Sequence, residues 1–134
     1  MSDPDPIQRL GHVVGAGMSQ VVVAGNLAFV AGQVAMTGPD TVVGDGDVER
    51  QATHCFDAID AALRAVGGRL TDVVRLTAYL VDATDGPAYL RVRDARFPSA
   101  APATTTVIVA GLLHPRLRIE LEATAVLPRA RGDG

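Results

Sequence analysis

Lysine is missing altogether: all 12 basic side chains of this sequence are arginine. A lysine imine, whether aldolase-like or formed with pyridoxal phosphate, is therefore excluded as a covalent intermediate. Tryptophan is absent and aromatic residues make up only 4% of the chain, so a core must be built from Val, Leu, Ile and Ala. A single cysteine, Cys55, excludes an internal disulfide and fits a reducing compartment. No run approaches the roughly 20 apolar residues of a membrane-spanning helix. The opening "MSDPDPIQRL" has neither the basic start nor the apolar segment of a signal peptide, so a soluble, cytoplasmic protein without a membrane partner is expected. The net charge of −3 leaves no excess of cations to neutralise phosphates, and no nucleic-acid partner is expected. Arginines 116, 118, 129 and 131 cluster late, without interleaved aromatics, and read as a solvated face or tail. His12, His54 and His114 fall in a leader, a helix and a loop with no metal-ligand spacing, so neither a metal site nor a cofactor is implied.

What is present fits one domain. A chain of 134 residues buries roughly two thirds of the surface its unfolded form exposes. Residues 1 to 10 read as a flexible leader and 127 to 134 as a tail. "SQVVVAGNLAFVAGQVA" holds two β-rich runs split by Gly25-Asn26, a hairpin signal, and "MTGPDTVVGDGD" follows as a loop or small irregular hairpin. From Asp47 to Val66 the residues Val48, Ala52, Cys55, Phe56, Ile59, Leu63 and Val66 recur at helical spacing, with Gly67-Gly68 as the stop. Cys55 on that apolar face reads as a buried, inert thiol. "DVVRLTAYLVD" alternates Leu76, Ala78 and Leu80 against Arg75, Thr77 and Tyr79 and predicts a strand. A second helix is predicted from Pro87 to Arg96, and "PATTTVIVAGLLHPRLRIELEATAV" closes the chain as two strands. The predicted order is β-β-α-β-α-β-β, an α+β fold.

On the final strand Leu117, Ile119, Leu121, Ala123 and Ala125 share one face, and Arg118, Glu120, Glu122 and Thr124 share the other. With Val126 and Ile108 added, the second face predicts burial against another subunit. Glu120 and Glu122 stand roughly 7 Å apart on one side of a strand. Such a pair can separate into a protonated acid and an ionised partner if buried at an interface, or can be two solvent-facing glutamates beside Arg118. Thr104 and Thr106 share a face and could offer hydroxyls to a ligand or a water, although threonine is also a favoured strand residue.

These strings together resemble one family. "GAGMSQ" is similar to the "GPYSQ" of the Rid (YjgF/YER057c/UK114) proteins, Ala31-Gly32-Gln33 to their "SGQ", and Ile119-Glu120-Leu121-Glu122-Ala123 to their closing "IEIEA". The resemblance implies a mixed sheet with two helices on one face, the chorismate mutase-like fold, in a homotrimer with inter-subunit clefts. It also implies enamine or imine deamination of a small molecule, with the glutamate that holds water matching Glu120 and the Gly32 backbone binding the ligand's polar end. The arginine that binds an imino acid's carboxylate falls on Thr104, so the pattern is that of an Arg-lacking subgroup. Met18 replaces the tyrosine of "GPYSQ" and Thr106 a cysteine. The site expected on this basis is catalytic Glu120 with Gly32, Thr104, Thr106 and Met18 around the substrate. The expected activity is hydrolysis of an imine or enamine other than the standard 2-aminoacrylate. A non-catalytic, trimeric small-molecule binding or regulatory module is the alternative. Ribonuclease activity ranks third, since an acidic chain without Lys or Trp offers little grip on RNA.

Overall fold

A computed structural model describes residues 6–11 and 17–128. The strands are β1 (Ile7–Leu10), β2 (Val21–Ala24), β3 (Leu27–Val34), β4 (Met36–Gly38), β5 (Thr41–Val42), β6 (Val73–Leu80), β7 (Ala103–Ile108) and β8 (Ile119–Val126); the helices are α1 (Val48–Arg64) and α2 (Gly86–Arg96). Six strands form one sheet in the order β1-β2-β3-β8-β6-β7, and β4 and β5 form a separate hairpin. Within the six, only β6 and β7 run parallel, which makes the sheet mixed.

Local chemistry accounts for these elements. Ala24 pairs with Leu27, leaving Gly25 and Asn26 as a two-residue turn, and Gly25 at φ 63° supplies the positive φ that its first position requires. Asp47 caps α1 by accepting from the Arg50 N–H at 3.1 Å, and the helix is closed where the Gly68 N–H donates to the Leu63 carbonyl at 2.8 Å. Val48, Ala52, Cys55, Phe56, Ile59 and Leu63 are buried on one side of α1, which packs on β3 and β8. Leu76, Ala78 and Leu80 of β6 and Ile119, Leu121, Ala123 and Ala125 of β8 meet them from the sheet. Three of the five aromatic residues join α2 to α1: Phe56 lies parallel to Tyr89 at 6.4 Å and meets Phe97 edge-on at 5.9 Å.

Two expectations need correction, the leader and the face of Ile108. Residues 7 to 10 of the expected leader form β1, paired with β2. Only Leu10 of β1 packs against the core, so backbone pairing holds this edge strand and leaves no hydrophobic period to read. Residues 1–5, His12 and the tail from 129 onwards, with Arg129 and Arg131, lie outside the described residues. The two closing strands are not neighbours, because β6 lies between β7 and β8. Ile108 consequently pairs with Leu80 on the helix-side row, and Val107 shares the open face with Val126 instead.

Candidate functional site

The sheet face opposite the helices carries the candidate chemistry. Strand alternation turns Glu120, Glu122 and Thr124 onto it, where Glu120 lies opposite Tyr79 and Glu122 opposite Thr77. On the other side of β8 the pairing with β3 is interrupted by a bulge between Val30 and Gln33. A bulge frees one residue from the ladder and re-aims its neighbours. Here it sets Gly32 directly against Glu120, so closely that a Cβ at position 32 would run into the carboxylate. The Gln33 amide fixes the bulge by donating to the Ala31 carbonyl and to Gln20 Oε1, each at 2.9 Å.

Glu120 is half-buried, and burial first, then the charge of Glu122, push its carboxyl above the usual carboxylate range. Glu122 accepts a hydrogen bond from the Tyr79 hydroxyl, whose pKa is raised chiefly by that bond. Among the described residues no cation forms an ion pair with either glutamate. Arg118, expected beside them, is instead turned to Asp85, donating from Nε at 2.9 Å and Nη2 at 3.1 Å. A basic carboxylate next to an unobstructed backbone segment can hold a water and take a proton from it. Cys55 is buried on α1, and burial pushes its thiol up to about 12, which keeps it inert. Among the described residues no group of three or more His, Cys, Asp and Glu stands together as a metal site.

The expected site residues therefore divide. Gly32 and Glu120 are in contact, while Met18 lies exposed just ahead of β2. Thr104 and Thr106 pair with Leu76 and Ala78 and so belong to the helix-side row, away from Glu120 within one chain. Thr104 stands at a small recess with Pro102 and Phe97, its hydroxyl 3.4 Å from Arg93 Nη1. Thr105 is the member of the triplet on the glutamate face, and it accepts from Arg75 Nη2 at 2.8 Å. Tyr79 and Arg75 were legible only as the polar half of an alternation, and Gln33 only as part of the Ala31-Gly32-Gln33 string; their partners depend on strand order.

Residues 12–127 match the family model described as endoribonuclease L-PSP. The chain belongs to the Rid (YjgF/YER057c/UK114) family. A RutC family protein of Pyrococcus horikoshii is 36% identical over 107 residues, covering 80% of this chain and 84% of its own. A protein of Dermatophagoides farinae named 2-iminobutanoate/2-iminopropanoate deaminase is 31% identical over 109 residues, 81% of this chain and 84% of its own. Among solved structures, a YjgF/YER057c/UK114 family member from Mycobacterium tuberculosis superposes with a TM-score of 0.78 at 29% identity, covering 90% of this chain and 99% of the other. A YjgF family protein of Neisseria meningitidis gives a TM-score of 0.80 at 28% identity over 92% and 97%. The names carried by Rid relatives differ in activity, so membership fixes the fold and leaves the reaction to be argued from the site.

Proposed function

We propose that this Rid-family protein is a cytoplasmic hydrolase of small imines or enamines, working in clefts completed between the copies of a homotrimer. One observation carries the reading: the raised, half-buried carboxylate of Glu120 lies over Gly32, where no side chain can intervene. In the proposed reaction Glu120 takes a proton from water as its oxygen bonds to the imine carbon. That proton passes to the nitrogen to give a carbinolamine, the carbinolamine's hydroxyl proton then follows it to the nitrogen by way of Glu120, and the C–N bond breaks to release ammonia and a carbonyl product. The Gly32 backbone binds the polar end of the substrate and Met18 supplies an apolar wall. Thr104 and Thr106 lie on the other face of the sheet, so they join Glu120 only if β7 of one copy meets the Glu120 side of another. A threonine hydroxyl does not replace a bidentate guanidinium on a carboxylate, so the favoured substrates need no carboxylate beside the reacting carbon. The charge balance supports a small-molecule ligand over nucleic acid.

The test is a screen of imines and enamines, with and without a carboxylate, against wild type and Glu120→Gln. The variant is expected to lose on the order of 10² to 10⁴ in rate while keeping ligand binding. Saturable binding with no turnover in wild type would move the protein to the non-catalytic binding class. Fast turnover of 2-aminoacrylate-type imino acids would overturn the substrate assignment.

A further inference from the structure

Glu120 and Glu122 stand on the same face of β8, both half-buried, yet their surroundings differ. Tyr79 of β6 is the ladder partner of Glu120, but its hydroxyl donates to the diagonal neighbour, Glu122. Among the described residues Glu120, over Gly32, has no such donor. The other groups around Glu120 bring no cation to it. From β3 the Gln33 amide is engaged with Ala31 and Gln20. On β6 Thr77 is neutral, and farther along Arg75 donates to Thr105. On β8 itself Arg118 is turned to Asp85. From α1, behind the sheet, the Cys55 thiol stays neutral, pushed up to about 12 by burial. The β7 edge that the proposed homotrimer brings to Glu120 carries no charged side chain.

We propose that Tyr79 is a positioning residue that acts through Glu122: its hydroxyl holds the negative charge on Glu122, so that the proton drawn from water settles on Glu120. The role rests on the reading of Glu120 as the base. A hydrogen bond to a carboxylate favours its charged form, and two neighbouring carboxylates do not share a proton evenly when only one of them has a donor. The charge kept on Glu122 makes Glu120 the better base, because taking up a proton relieves the repulsion between the two. The Tyr79 hydroxyl keeps its own proton, since the bond to Glu122 raises its pKa above that of an ordinary phenol. The Tyr79–Glu122 bond lies within one chain, so a neighbouring copy laid over this face excludes water from both carboxylates and leaves their division of roles in place.

Carbon-13 NMR of the full chain, labelled at its glutamate carboxyls, tests this without a substrate, with Glu120→Gln and Glu122→Gln assigning the two signals. As pH falls, wild type is expected to take up a proton first at Glu120, in a one-proton step. Glu122→Gln should move that step to lower pH, because the like charge is gone. Tyr79→Phe keeps the ring and removes only the hydroxyl. It should spread both titrations over a wider pH range, the proton now settling on either carboxylate, and the acidic limb of kcat/KM should flatten with them. Added to Glu122→Gln, Tyr79→Phe should shift nothing further, since its effect passes through Glu122. A Glu120 step that stays one-proton in Tyr79→Phe overturns the proposal. So does first protonation at Glu122 in wild type, an unmoved step in Glu122→Gln, or a further shift in the double variant. Turnover that survives Glu120→Gln would instead overturn the reading of the base, and with it the role of Tyr79, whatever the titrations show.

Discussion

At the scale of single residues, Gly32 and Glu120 act as a pair. Gly32 is exposed and its φ is not in the left-handed region, so alanine meets no backbone penalty there. Among the described residues its nearest obstacle is the Glu120 carboxylate, the far end of a flexible side chain. Gly32→Ala is therefore expected to fold with a thermal midpoint near wild type while displacing the carboxylate and lowering kcat/KM on the order of 10²-fold. Steady-state kinetics beside circular dichroism separates the two effects; unchanged kinetics would detach Glu120 from the reaction. The pH profile follows from the direction of the Glu120 shift. A base must be ionised, and a raised pKa means that ionisation is lost earlier as pH falls. The acidic limb of kcat/KM should therefore lie above the ordinary carboxylate range and vanish from the residual rate of Glu120→Gln.

At the scale of elements, the buried Gln51 does more than its place on an apolar helix face suggests. It donates to the Gly44 carbonyl at 3.2 Å and the Arg116 carbonyl at 3.1 Å, and accepts from the Arg118 N–H at 2.7 Å. One side chain on α1 thereby ties the segment before the helix to the loop before β8, which Arg116 reinforces through Asp45 at 3.0 Å. Gln51→Leu leaves three backbone groups without these partners and is expected to cost about 3 kcal/mol or more in a denaturant titration. The opposite case is Tyr89, whose buried hydroxyl has no partner among the described residues. Tyr89→Phe keeps the stack on Phe56 and should gain on the order of 1 kcal/mol. Helix α1 and strands β6 and β8 were readable from sequence because each has one buried face, and burial imposes a period. Strand β7 has almost no buried side chain, so nothing in "ATTTVI" marks which threonines face the helices. Its parity comes from pairing with β6, a long-range fact, so the strand's own sequence does not reveal that Thr105 shares a face with Glu120; Thr104 and Thr106 were set beside Glu120 by the family resemblance, across an inter-subunit cleft. Gly32 and Glu120 were legible because the motifs around them span only a few residues each.

At the scale of the molecule, two features of one copy call for a partner. The open sheet face exposes Leu27, Phe29, Val107 and Val126 among its polar residues. The edge strand β7 is almost wholly exposed and carries no charged residue to discourage pairing. Monomeric proteins guard such edges with lysine, proline or a covering loop. The proposed homotrimer would remove both liabilities at once, and would bring the edge that carries Thr104 and Thr106 within reach of another copy's Glu120. Light scattering at micromolar concentration is expected to give three times the 13.9 kDa chain mass. Val107→Lys places a charge on β7 without touching Gly32, Gln33 or Glu120, so it should dissociate the assembly while each chain stays folded. Turnover should fall with the assembled fraction, because a lone copy keeps its carboxylate and loses the opposing wall of the cleft. A dissociated Val107→Lys variant with wild-type kcat/KM would show that one chain suffices and would return Thr104 and Thr106 to ordinary strand residues.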